Sequence, residues 1–116
     1  MITIKQRIKK IKGILFKRDT DILLNAIEKI TGIDNDTVLS KSRKHKITYS
    51  RHLYCLIMIE LKYTYEEVGD ILNLKHTSVM HNVRNFKSLM DIYEQDKNNY
   101  EIAKKIFTET SEILNL

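Results

Sequence analysis

Thr64-Tyr65-Glu66-Glu67-Val68-Gly69-Asp70-Ile71-Leu72-Asn73-Leu74-Lys75-His76-Thr77-Ser78-Val79-Met80-His81-Asn82-Val83 is the stretch that decides the fold. Thr64 with Glu67 three residues on is a capping box, which predicts a short helix over Tyr65–Leu72. Asn73-Leu74-Lys75 reads as a tight turn. A second, longer helix is predicted from His76 to about Tyr93, burying Val79, Val83, Phe86, Leu89 and Met90. Two helices joined by so few residues have the size of a helix–turn–helix. Val68 and Leu72 face Val79 and Val83 in that unit. Gly69, lacking a side chain, sits where the two backbones approach.

Upstream, Tyr49 to Leu61 is apolar on most faces and predicts the central buried helix. Asp34 to Leu39 reads as a single helical turn. Asp19, Thr20 and Asp21 are candidate N-caps for a helix through Ile22, Leu23, Ala26, Ile27 and Ile30. Gly32 can end that helix in the left-handed conformation. Before it, Ile4, Ile8, Ile11 and Leu15 recur on one helical face, with Lys5, Arg7, Lys9, Lys10 and Lys12 filling the rest. The plain expectation is that this stripe caps the core. A DNA-backbone or linker role, and a helix lying on a membrane surface, are the alternatives. Downstream of a polar break from Glu94 to Asn99, a last helix carries Ile102, Ile106, Phe107, Ile113 and Leu114. That helix either closes the core or offers a homodimer face. The expected organisation is a single all-α domain over 1–116: a basic N-terminal helix at 1–18, a helix–turn–helix core at 20–93, and a C-terminal helix at 99–116.

The chain has 116 residues, 42% apolar and 30% charged, which suits one packed domain with a solvated surface. It has no proline and three glycines, in keeping with helices joined by short turns. The net charge of +5 favours a polyanionic partner, nucleic acid first. Cys55, the only cysteine, has no disulfide partner within the chain and implies a reducing compartment. No secretory leader or membrane span is read, so a cytoplasmic, nucleoid-associated location is expected.

The candidate site follows from charge and helix geometry. Ser40 to Lys46 is basic and free of acids, with Lys41, Arg43, Lys44 and Lys46 in what reads as a loop. These cations, with Lys75 and Arg84, are candidates for DNA phosphate. Arg51 opens the central helix and can reach a narrow minor groove, whose negative potential attracts guanidinium. The first turn of the second helix of a helix–turn–helix enters the major groove. His76, Thr77 and Ser78 sit there, with His81 and Asn82 one turn on. Plain N-capping is the competing use of Thr77 and Ser78, and a solvated charge run that of the lysines. The histidines His45, His52, His76 and His81 do not match a zinc-ligand spacing. With no glycine-rich phosphate loop and no acid–base constellation, no cofactor, metal or enzyme activity is expected.

These residues resemble the C-terminal DNA-binding domain of the bacterial replication initiator DnaA. The resemblance covers roughly Leu24 to Leu89. It rests on Leu39-Ser40-Lys41-Ser42-Arg43, on Arg51, on Glu67-Val68-Gly69 and on His76-Thr77-Ser78-Val79-Met80-His81. It implies an all-helical bundle around a helix–turn–helix, of the Trp-repressor-like kind. It implies phosphate contacts for Lys41 and Arg43, minor-groove contact for Arg51, and base contacts for His76, Thr77 and Ser78. Three departures stand out. Asn73-Leu74-Lys75 replaces the family's Gly-Gly-Arg-Asp and is one residue shorter. Ser50 replaces a proline, and Ser78 replaces a threonine whose methyl can touch thymine. The initiator's ATP-hydrolysing part has no counterpart in these 116 residues, so origin melting by that route is not expected. Double-stranded DNA is the expected partner. The expected role is a regulator or accessory of replication or transcription, of host, phage or mobile-element origin. The alternative is a module that binds a replication or transcription protein, with a partly decayed DNA surface.

Overall fold

A computed structural model describes residues 1–41 and 44–115. Six helices follow one another: α1 (Ile4–Thr31), α2 (Asn35–Val38), α3 (His45–Glu60), α4 (Tyr65–Leu72), α5 (His76–Ile92) and α6 (Glu94–Leu114). Helix α3 is the axis of the bundle. Leu53, Tyr54, Cys55, Leu56, Ile57 and Met58 have no exposed surface, because α1, α2, α4 and α5 all pack around it. This explains why α3 is apolar on most faces rather than on one stripe. Val68, Leu72, Val79, Val83 and Phe86 join the same core from α4 and α5, as the sequence predicts. Helix α6 adds Ala103 and Phe107 and packs on α1 and α5.

The single turn α2 is capped by Asp34, whose carboxylate accepts from the Thr37 amide at 2.8 Å, and it buries Val38. Gly32 does end α1 at φ 75°, its amide bonded to the Glu28 carbonyl.

Three boundaries differ from the sequence reading. First, α1 is one continuous helix through Asp19, Thr20 and Asp21, none of which caps it. No helix breaker stands there, and two of the three side chains serve tertiary bonds instead. Thr20 shares a buried 2.8 Å hydrogen bond with the Tyr54 hydroxyl, and Asp19 accepts from the Tyr63 hydroxyl at 2.6 Å. Second, α3 begins at His45, which puts Lys46 in its first turn rather than in a loop. Third, α6 starts at Glu94, directly after Tyr93, so the polar segment to Asn99 is helical. Its side chains turn outward or bond to Tyr49, whose hydroxyl donates to Asp96 at 2.7 Å and accepts from Asn99 at 3.0 Å.

The expectation that Ile4, Ile8, Ile11 and Leu15 cap the core is corrected. They are 77%, 50%, 56% and 39% exposed. A 28-residue helix is about 42 Å long at 1.5 Å per residue. Burial on α1 is confined to its C-terminal half, from Thr20 to Ile27. The N-terminal half projects and contributes to the 52 Å long dimension of the molecule.

Candidate nucleic-acid interface

Helix α4, the first of the helix–turn–helix, is closed at both ends by local chemistry. Thr64 Oγ1 accepts from the Glu67 amide at 3.1 Å, and Glu67 Oε1 accepts from the Thr64 amide at 3.0 Å. Helix α4 ends at Asn73 in the left-handed conformation, φ 55°, which asparagine tolerates better than most residues. The Leu74 amide then bonds to the Gly69 carbonyl at 2.8 Å. This folds the turn back onto α4. A Cβ at Gly69 would stand 2.5 Å from the Leu74 carbonyl oxygen and 3.5 Å from Val79 Cγ2. The glycine is therefore required mainly by the returning turn, and only secondarily by α5.

Helix α5 starts with Lys75 as N-cap and no side-chain cap bond. The Ser78 and Val79 amides both bond to the Lys75 carbonyl. Thr77 and Ser78 lie inside the first turn, so their hydroxyls are not spent on capping. His76 and Thr77 are exposed and Ser78 is half-buried. Thr77, His81 and Arg84, at i, i+4 and i+7, form one exposed ridge. Val79, Val83 and Phe86 form the buried face behind it. Asn82 is off the ridge: half-buried, it donates from Nδ2 to Cys55 Sγ on α3 at 3.7 Å. Met80, half-buried, and Asn85, exposed, lie beside this ridge and are not among the candidates read from sequence. Helical periodicity from Thr77 was the signal that would have found them.

Lys41 is exposed just after α2, Lys44 is the exposed N-cap of α3, and Lys46 is exposed in its first turn. Arg43 lies outside the described residues. Arg51 is half-buried. It donates from Nε to the Val38 carbonyl at 3.0 Å and from Nη2 to the Ser40 carbonyl at 2.7 Å. It thereby ties the segment that carries Lys41 to α3. His52, next to it, is half-buried. Burial, then the charges of Arg51 and His45, hold its pKa below the ordinary imidazole value.

Among the described residues the ion pairs within 4.0 Å are Arg18–Asp19 and Lys104–Glu60. Lys41, Lys46, Lys75 and Arg84 have no carboxylate partner there. Their charge faces solvent, as an anion-binding surface requires. Among the same residues, no group of three or more His, Cys, Asp or Glu side chains is placed to hold a metal ion. Among the described residues, no helix is long and apolar enough to cross a membrane.

The path of contacts between the two halves of this surface is short. Ser40 is bonded to Arg51, Arg51 is one helical turn from Cys55, and Cys55 meets Asn82 of α5. The Tyr49 and Phe86 rings meet at 5.2 Å between centroids. Tyr49 precedes Cys55 on α3 while Phe86 follows Asn82 on α5, so the two helices run roughly antiparallel. A family model described as the bacterial dnaA protein helix-turn-helix matches residues 20–85, more than half of the chain. The match takes in α2 to α4, the buried half of α1 and the first half of α5.

Proposed function

Because the chain belongs to the bacterial dnaA protein helix-turn-helix family, a class of DNA-binding modules, we propose that it binds double-stranded DNA with a base preference of its own. The observation that carries this reading is the uncapped, hydroxyl-bearing start of α5. It is exposed opposite a buried face and flanked by cations that have no acidic partner among the described residues.

In this reading, His76, Thr77 and His81 address base edges in the major groove, with Ser78 at the margin. Asn82 contributes from the α3 side by fixing the rotation of α5 through Cys55, and reaches a base only by giving up that weak bond. Lys75 and Arg84 take phosphates on either side of the tip. Lys41, Lys44, Lys46 and Arg43 take the phosphate backbone next to it. Arg51 serves the adjacent minor groove while holding the loop.

The dimensions suit this division. Arg51 and Thr77 stand on opposite sides of the Cys55–Asn82 contact, about 14 Å apart along the helix direction at 1.5 Å per residue. Neighbouring minor and major grooves on one face of a duplex are separated by about half of the ~34 Å helical turn.

Such a module acts as a regulator or accessory of replication or transcription by occupying duplex sites. Selection from a random duplex pool at two salt concentrations tests it. The expected result is an enriched motif at both, with affinity falling steeply as salt rises. Binding without any enriched motif would reduce the reading to charge attraction. No binding at low salt would end it. A stoichiometric protein complex without duplex binding would favour the protein-interaction alternative.

A further inference from the structure

The projecting half of α1 carries an exposed apolar stripe outside the residues matched by the family model. Ile4, Ile8, Ile11 and Leu15 follow the 4-3-4 spacing of the d and a positions of a heptad, and all four are uncovered. The helix that presents them is already formed. Thr3 and Gln6 close its start with a reciprocal capping box, and it continues without a break into the buried half of α1. The stripe is thus rigidly held and dry-side out, which a solvated helix has no reason to maintain.

Charge decides what covers it. With the stripe at d and a, Lys5 and Lys12 fall at e, and Arg7 falls at g. All three are exposed. No acid occurs before Asp19. A parallel pair of this helix would set Arg7 against Lys12 on both edges of the seam, and an antiparallel pair would set Lys5 against Lys12 along the e edge. A bilayer is a poorer fit, since the first fifteen residues carry no aromatic side chain to sit at the headgroup level.

We infer that the first half of α1 is one strand of a heteromeric coiled coil. Its partner is an amphipathic helix of another protein, with an apolar a/d seam and carboxylates at e and g. The contact leaves the α5 tip and the basic loop unoccupied, so the module can hold duplex and partner protein through different surfaces.

The test uses the full chain and a synthetic helical peptide with Ile at a, Leu at d and Glu at e and g. A second peptide has Lys in place of Glu. The Glu peptide is expected to bind at least about tenfold tighter than the Lys peptide at low salt, and to weaken as salt rises. Replacing Ile8→Asp with Ile11→Asp should abolish binding while far-ultraviolet circular dichroism and the thermal midpoint stay unchanged, because both residues are exposed. The triple variant Lys5→Glu, Arg7→Glu, Lys12→Glu should reverse the preference towards the Lys peptide.

Equal binding of the two peptides would overturn the inference. So would self-association of the chain through the stripe, seen by sedimentation. Binding to vesicles of phosphatidylglycerol and phosphatidylcholine, without selectivity between the peptides, would also overturn it and assign the stripe to a membrane surface. None of these readouts depends on duplex binding.

Discussion

Arg51 reaches back from α3 and donates from Nη2 to the carbonyl of Ser40 at 2.7 Å, while its Nε holds the Val38 carbonyl at 3.0 Å. One planar fork thus secures the exit of α2 and the start of the basic segment. A lysine has the charge but not the fork. Arg51→Lys is therefore expected to weaken binding to every duplex by a similar factor and to cost about 1–2 kcal/mol of stability. Amide exchange at Leu39, Ser40 and Lys41 should speed up in the variant. Unchanged exchange there would show that the two carbonyl bonds do not hold the loop.

Cations and hydroxyls on the two sides of the surface should fail differently. Lys41→Ala and Lys75→Ala remove charges that have no acidic partner among the described residues. Each should lower affinity for all sequences and reduce the slope of log affinity against log salt by about one. Thr77→Ala and His81→Ala should leave that slope nearly unchanged and relax preference at one base position, by about 1–3 kcal/mol. Titration of matched and mismatched duplexes at several salt concentrations separates the two classes. A loss for Thr77→Ala that is uniform across sequences would move Thr77 to the phosphate group.

Gly69 has little room to change. Its missing Cβ would lie 2.5 Å from a backbone oxygen, that of Leu74, and a backbone atom cannot swing away like a side-chain tip. Gly69→Ala gains helix propensity of about 1 kcal/mol but must push the turn off α4. A net loss of about 1–3 kcal/mol is expected from the overpacking. The turn sets where Lys75 and His76 begin, so duplex affinity should fall as well. Urea unfolding and duplex titration of one variant check both. A variant as stable as the parent, with full affinity, would mean the turn relaxes freely.

The helix–turn–helix was legible because every local signal agreed there: capping box, turn residues, Val68 and Leu72 against Val79 and Val83. The errors fell where polar residues serve distant partners. Asp19 and Thr20 look like caps in sequence, but their partners are Tyr63 and Tyr54, 44 and 34 residues away. No local pattern encodes such a bond. The Ile4–Leu15 stripe misled for another reason. Periodicity shows that a face is apolar, not which surface covers it, and only the stretch of α1 from Thr20 to Ile27 is buried in the bundle. Asn82 sits one turn after Ser78, a place that suggests groove contact, yet its amide meets Cys55 Sγ on α3.

Proton linkage gives the fold a stability plateau. Burial pushes the Cys55 thiol up to about 12 from an ordinary 9.0, against the opposing bond from Asn82, and pushes the Tyr49 hydroxyl up to about 12 from 10.0. The unfolded chain gives up these protons first, so stability falls as pH rises above about 9. His52 works from the other side. Its folded pKa lies below 6.5, so the unfolded chain takes up a proton first as pH drops through that value, and stability falls again. Urea midpoints should be flat from about pH 6.5 to about pH 9 and decline outside this range, with the acid slope reduced in His52→Gln. Native Cys55 should also resist iodoacetamide at neutral pH and react on unfolding. A midpoint that kept rising above pH 9 would contradict this assignment.

Thr20 and Tyr54 share the one hydrogen bond between side chains that lies fully inside the bundle among the described residues, at 2.8 Å. Both are essentially inaccessible, 2% and 0% exposed. The bond fixes α1 against α3 at the level where the projecting half of α1 departs, so it also sets the direction of that projection. A buried hydroxyl left alone costs about 1–3 kcal/mol, more than the net worth of the pair. Tyr54→Phe strands the Thr20 hydroxyl, and Thr20→Val strands that of Tyr54, so each should destabilise by about that amount. The double variant removes both polar groups and nearly keeps the volume. It should be closer to the parent than the sum of the single changes, with a coupling of about 1 kcal/mol or more between neighbours. Equilibrium unfolding of the four proteins measures this directly. Strict additivity would mean that the two hydroxyls are satisfied independently, and that apolar packing alone holds α1 on α3.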